Sequence, residues 1–265
     1  MRRMRSEMAS KNNGFVFSLD LELFWGVRDH KSRQQYGRNI LGVRQAVPAI
    51  LQLFARHEIA CTWAVVGMLF AKNKNKKDLL AHLPQDRPKY SNPQLDPYSA
   101  IAEIGNDEKS DPWHYGRSLI DLIRQVNGQE VGTHTFGHFN CLEAGATPQA
   151  FDADLESALE IMARDGIAPR SIVFPRNQHD DSYLDKCAGR NINVFRGNEK
   201  SWLYKSAAKG RHTKLQRALR LADAYLDISG ANSHLAHRQL NSLMVDIPSS
   251  RFCGPGMRRC LLRTV

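Results

Sequence analysis

Glu130-Val131-Gly132-Thr133-His134-Thr135-Phe136-Gly137-His138 runs from a short strand-like segment into two histidines four residues apart. Imidazole is the commonest protein ligand for zinc and its relatives, and residues i and i+4 share one face of a helical turn. The spacing therefore predicts two rings aimed at one ion. Taken alone, such a pair serves equally well on a surface or at a helix end. Its meaning depends on whether the remaining chain brings an acid to the same place.

Working outward, residues 15 to 21 (Phe-Val-Phe-Ser-Leu-Asp-Leu) are rich in strand formers, and Glu22 closes the run. In an extended segment Asp20 and Glu22 project from one face. The strand is too apolar for a surface edge, and unpaired buried charge is costly, so the two carboxylates call for a cation or a catalytic task. Val43, Val47, Ile50, Leu51 and Phe54 recur at helical period over 41–57, with Pro48 an interior cost. Ile59 to Val66 reads as a second strand. Between 72 and 112 periodicity fails, which predicts a long insertion, either a functional lid or a surface excursion.

Leu119, Leu122, Ile123 and Val126 mark a further helix, and the strand of residues 130–133 delivers the histidines. Thr147-Pro148 reads as an N-cap followed by proline at the first helical position. Residues 171–174 form a strand stopped by Pro175, followed at once by Arg176-Asn177; a short helix over 183–189 and a strand over 192–195 come next. Strand and helix alternate throughout, which predicts parallel strands in an α/β layer or barrel. In such folds residues just past the strand ends converge on one rim, and Asp20 with Glu22, His134 with His138, and Arg176 with Asn177 all hold that position.

Composition narrows the class. With 42% hydrophobic and 24% charged residues the chain is expected to fold, and its net charge of +10 favours an anionic partner, although the basic residues are spread too widely to name one. No nucleic-acid-binding module is apparent. Cys61, Cys141, Cys187, Cys253 and Cys260 are odd in number and lack CxxC spacing, which suits a reducing compartment. The basic start lacks an apolar h-region and no run reaches membrane-spanning length, so a cytoplasmic protein is expected.

The ordered set Ser18-Leu19-Asp20-Leu21-Glu22, then His134-Thr135-Phe136-Gly137-His138, then Phe174-Pro175-Arg176-Asn177, resembles the polysaccharide deacetylases of the NodB-homology superfamily, carbohydrate esterase family 4. The resemblance covers about residues 14 to 205. It looks nearest to a subgroup among surface-polysaccharide biosynthesis proteins, whose later segment is similar to Arg196-Gly197-Asn198-Glu199-Lys200-Ser201-Trp202.

This likeness implies an α/β fold, a distorted (β/α) barrel with fewer units than a TIM barrel, incomplete at its C-terminal end. It implies a divalent metal, zinc in most relatives, with His134 and His138 as ligands. The usual pair of adjacent aspartates is broken by Leu21, so Glu22 becomes the third ligand and Asp20 the base; the reverse assignment stays open. Arg176 would hold the base carboxylate. Trp25 and Trp202 would stack on sugar rings, unless they are core residues, and Asn177 would join them in binding substrate.

The organisation expected is a basic tail over 1–13, a deacetylase domain over 14–248 carrying the insertion 72–112, and an atypical tail over 249–265. The chain departs from the family pattern near Arg251, as a truncation or frame-shift would make it, and the histidine that serves relatives as general acid is missing. His234 and His237 are the nearest stand-ins. The implied activity is metal-dependent removal of N-acetyl groups from a carbohydrate. The alternatives are a carbohydrate-binding remnant without turnover and an amidohydrolase acting on a non-sugar C–N bond.

Overall fold

The computed structural model describes residues 14–199, 203, 214–226, 237–238 and 244–249. Strands β1 (Phe17–Leu21), β2 (Cys61–Val65), β3 (Gln129–Thr133), β4 (Ser171–Ile172), β5 (Val194–Gly197), β6 (His237–Arg238) and β7 (Val245–Pro248) form one sheet in the order β1-β2-β3-β4-β5-β7-β6. Six of them are parallel, as the alternating pattern predicts, and β6 runs antiparallel to β7. Residues 239–244 alone connect these two, far too short a crossover to return the chain in parallel.

Helices α1 (Arg33–Arg56), α2 (Arg117–Arg124), α3 (Pro148–Ala163), α4 (Asp181–Gly189) and α5 (Lys214–Leu226) alternate with the strands. Helix α1 starts well before the periodic apolar residues. Its first turns are polar, but Ser32 and Gln35 form a reciprocal capping box that fixes the start. Pro48 is carried inside it because Ile40, Val47, Leu51 and Phe54 are all buried on one face. Helix α3 begins where the sequence predicts, with the Thr147 hydroxyl accepting from Ala150 N and Pro148 at the first position.

Alternation along the strands sorts the two faces of the sheet. Leu21, Trp63, Val65, Val131, Ile172 and Phe195 point to the helix side and are buried. Helix α3 serves two cores from one face: Ala158, Ile161 and Met162 pack with β1 to β3, and Phe151 and Leu155 with β4, β5 and α4. The opposite face is polar. Glu130 accepts from Thr62 Oγ1 at 2.6 Å and Ser171 Oγ at 2.8 Å, joining β2, β3 and β4 by side chains.

On that same face the Arg196 guanidinium of β5 reaches Asp20 of β1, although three strands lie between them in the sheet. Such a contact requires the sheet to curl, so the expected distorted barrel takes the form of a half-barrel with its polar face inward.

Residues 72–112 are packed rather than loose. Three short 3-10 helices, Leu79–His82, Pro93–Leu95 and Ser99–Ala102, bury Leu79, Leu95, Tyr98 and Ile101. Arg44 of α1 anchors the end of the segment through Glu108 at 2.5 Å and the carbonyls of Pro112 and Tyr115. Asp111, 1% exposed, accepts from Gly105 N at 2.8 Å and from His114 Nδ1. Among the described residues no helix is long and apolar enough to cross a membrane.

Burial raises the Asp111 pKa, but the hydrogen bonds from His114 and Gly105 outweigh it and bring it from 3.8 down to about 2. The stabilisation is therefore full above pH ~4 and disappears as pH falls through ~2. Asp111→Asn should lower unfolding free energy at pH 7 by about 2 kcal/mol. Denaturant titrations of both proteins between pH 7 and pH 2 should show the gap closing with acidification.

Candidate metal centre

Glu22, His134 and His138 come together at the carboxyl ends of β1 and β3, with one ligand atom from each within 4.8 Å of the others. The Glu22 Oε2 atom lies 3.4 Å from His134 Nε2 and 3.0 Å from His138 Nε2. His134 Nδ1 lies 2.7 Å from the Val173 carbonyl oxygen, beyond the end of β4. A carbonyl can only accept, so Nδ1 carries the proton and Nε2 presents its lone pair toward Glu22. A neighbouring backbone acceptor fixes both the tautomer and the ring, as is usual for a metal-ligating histidine.

Charge states agree with that geometry. Burial works to raise the Glu22 pKa, yet the His134 and His138 side chains beside it more than offset that and hold the carboxyl well below its usual range. Burial pushes His138 down, against the pull of Glu22, which favours neutral imidazole. One carboxylate and two neutral imidazoles are the forms that bind a divalent cation.

The histidine segment is not the helical turn that the i, i+4 spacing suggests. It is an irregular loop in which Thr135 and His138 have φ of 64° and 60°. The buried Asp154 carboxylate of α3 explains this conformation: it accepts from Phe136 N at 2.6 Å and Gly137 N at 3.1 Å, and from the Tyr98 hydroxyl. The loop is thus wrapped around an internal anion, and the two rings converge without helical geometry. Left-handed φ at non-glycine residues costs energy and gathers at functional loops. Leu23, Arg176 and Asn177 share it, in the loops after β1 and β4.

Glycine at position 26 is also dictated by the site. A Cβ there would stand 2.0 Å from Glu22 Cδ and under 2.5 Å from both carboxylate oxygens. The carboxylate folds back over the bare Cα of Gly26 in the Leu23–Gly26 3-10 turn, so any side chain there would displace it. Gly137 plays a matching part in the loop, where a Cβ would press on Pro97 and Tyr98 of the 72–112 segment.

Several expected roles are reassigned. Asp20 does not meet Arg176: Arg196 holds it, with Nη1 to Oδ1 at 2.9 Å and Nη2 to Oδ2 at 2.8 Å. Arg196 also donates to Ser18 Oγ and to Asn177 Oδ1, so the side-chain oxygen of Asn177, a residue expected to bind substrate, is engaged by a guanidinium. Arg176 instead pairs with Asp29 at 2.6 Å and reaches Glu143 at 3.5 Å.

Strand geometry explains the exchange, because Arg196 lies on the inward face that carries Asp20, whereas Arg176 sits in the loop after β4 beside the post-β1 loop. Trp25 is 2% exposed and donates to the His114 carbonyl, so it is a core residue and no sugar platform. Its position four residues past the end of β1 gave no warning, since that turn points back into the core. Trp202 and His234 lie outside the described residues, as do residues 1–13 and 251–265; of His237 the described feature is its backbone in β6.

No protein-family model matches the chain, and no curated protein matches it. Solved structures similar to it include a deacetylase from Streptococcus pyogenes in complex with acetate, at 13% identity and a TM-score of 0.39, with 68% of this chain and 54% of that one covered. A putative polysaccharide deacetylase from Mycobacterium smegmatis matches at 13% identity and 0.44, covering 81% and 73%. A CE4 family pseudoenzyme from Bacillus anthracis matches at 14% identity and 0.39, covering 69% and 43%. The chain spans about half the length of the first and third of these. These likenesses concern the fold, and they include both a deacetylase and a pseudoenzyme.

Three substitutions probe the site. On the reading that Glu22, His134 and His138 hold a divalent ion, with zinc as the probe, Gly26→Ala should abolish stoichiometric uptake in equilibrium dialysis while leaving far-UV circular dichroism unchanged. Asp154→Asn should weaken zinc affinity by about 10- to 100-fold, the usual effect of losing a group that orients a ligand, and Tyr98→Phe by less.

Proposed function

We propose that this chain is a divalent-metal-dependent hydrolase that removes N-acetyl groups from a carbohydrate, with zinc as its ion. The observation that carries the reading is the convergence of Glu22, His134 and His138, with the His134 tautomer set by the Val173 carbonyl. Two imidazoles and one carboxylate form the donor set of a hydrolytic centre that leaves a coordination position open. When bound, the ion supplies the positive charge that makes water nucleophilic at neutral pH and polarises the acetyl carbonyl.

The protein's own groups handle the water proton and the approach of substrate. Asp20 is the acceptor of the water proton, and Arg196 orients it through two parallel N–H bonds, itself steadied by Asn177 and Ser18. Glu22 rests on both histidines and Asp20 on a cation, which favours Glu22 as ligand over the reverse assignment. The Asp29–Arg176 pair ties the loop after β1 to the loop after β4, and Glu143 joins it from the segment beyond His138. These loops wall the mouth of the centre and limit how a substrate's acetamide can approach.

A second reading, carbohydrate binding without turnover, is favoured by one observation: both Asp20 oxygens already accept from Arg196. Acetate release decides between them. Zinc-loaded protein should liberate acetate from N-acetylated sugars. His134→Ala and Glu22→Gln should each lower turnover more than about 100-fold and lose the metal. Arg196→Lys should retain the metal and lower kcat about tenfold or more, because lysine cannot reproduce the fork. Sugar binding by the zinc-loaded wild type without acetate release would select the second reading, and full zinc occupancy with undiminished turnover in His134→Ala would remove the site assignment.

A further inference from the structure

Arg28 stands apart from the other arginines at this mouth. Arg176 and Arg196 are both spent on carboxylates, whereas the Arg28 guanidinium has neither a hydrogen bond nor an ion pair among the described residues. Its side chain is half-buried, and its electrostatic neighbours are Asp96, Asp29, Tyr90 and Arg176. These neighbours place it beside the triad. Arg28 follows Gly26, over which Glu22 folds; the Tyr90 hydroxyl accepts from Asn140 N, two residues past His138; and Arg176 acts electrostatically on His138.

The nearby carboxylates do not use up its donors. Asp29 is engaged by Arg176 and His30, and an Asp96 oxygen accepts from Tyr98 N. Burial and the charge of Arg176 work against the Arg28 cation, while Asp96 and Asp29 favour it; a guanidinium keeps its proton regardless. Its five N–H donors are unspent among the described residues, and none of its nitrogens is sealed from solvent, so they stay available to a ligand at the mouth. The planar fork matches a carboxylate or a phosphate in bidentate geometry. The chain's net charge of +10 would draw such an anion in.

We infer that Arg28 reads an acidic group on the substrate, so that the N-acetylated sugar carries a carboxylate or phosphate that pairs with Arg28 while its acetamide faces Glu22, His134 and His138. The inference rests on the deacetylase reading for the identity of the sugar, and its binding test stands apart from turnover.

Isothermal titration of the zinc-loaded full chain with three probes examines it: N-acetylglucosamine 6-phosphate, N-acetylmuramic acid and neutral N-acetylglucosamine. At least one acidic probe should bind the wild type about tenfold or more tightly than the neutral sugar. The stronger of the two identifies phosphate or carboxylate as the group read. Arg28→Gln should reduce acidic-probe affinity to that of the neutral sugar, and Arg28→Lys should keep part of the preference. Circular dichroism checks folding; should Arg28→Gln not fold, an undiminished preference in Arg28→Lys counts against the assignment.

Equal affinity for acidic and neutral probes, no binding of any probe, or a preference that survives Arg28→Gln would overturn it. Acetate assays on the same samples keep the two ideas separate. Turnover of the neutral sugar without acid preference leaves the deacetylase standing and removes the Arg28 role. Acid-selective binding without acetate release does the reverse.

Discussion

The site depends on a carboxylate buried away from it. Asp154 on α3 is surrounded by apolar residues, and burial raises its pKa from 3.8 to about 6 even though three donors approach it. Two of those donors are backbone N–H groups from the middle of the histidine loop, so the loop must wrap around the carboxylate or leave it unsatisfied. An unsatisfied buried carboxylate would cost several kcal/mol. That penalty offsets the left-handed backbone at Thr135 and His138 and holds the two imidazoles on one point. The third donor, the Tyr98 hydroxyl, belongs to the 72–112 segment, so helix, loop and insertion share one anchor.

Polar groups organise the inner face of the sheet in the same fashion. Glu130 links three strands through two hydroxyls, and Arg196 links the first strand to the fifth. A parallel sheet covered on both faces would bury apolar side chains on each. Here one face is apolar and covered by helices, and the other carries Ser18, Asp20, Thr62, Glu130, Ser171 and Arg196, of which Asp20 and Glu130 are exposed. The catalytic proposal draws on this polar face for its base and the strand ends for its ligands.

Much of this was legible in the sequence, for local reasons. Alternating strand and helix patterns gave the parallel order, Thr147-Pro148 marked the start of α3, and the strand-end positions of Glu22, His134 and His138 put them on one rim. What escaped was non-local or hidden by polarity. The partner of Asp20 lies 176 residues away, and the parity of Arg196 on β5 becomes meaningful only once the sheet is seen to curl. The loop conformation depends on Asp154, an acidic residue that resembles any solvated helix position in the sequence. The first turns of α1 are polar, so apolar period could not find them, although Ser32 and Gln35 have the spacing of a capping box. Of the two roles open to Trp25 the structure shows the core one, which sequence could not select because a position near the strand end says nothing about which way the following turn directs its ring.

The contact between Asp20 and Arg196 has a mechanical side. Among the described residues no backbone ladder joins β1 to β5; a side-chain ion pair spans the gap, with the two side chains 31% and 22% accessible. Partly solvated pairs weaken as ionic strength rises, whereas hydrogen-bonded ladders hardly respond. This one contact across the half-barrel is therefore sensitive to electrolyte, and the proposed base is itself one end of it. On the proposed mechanism, aperture and proton acceptor would form a single mechanical coordinate, so whatever relaxes the bowl would also turn the Asp20 carboxylate.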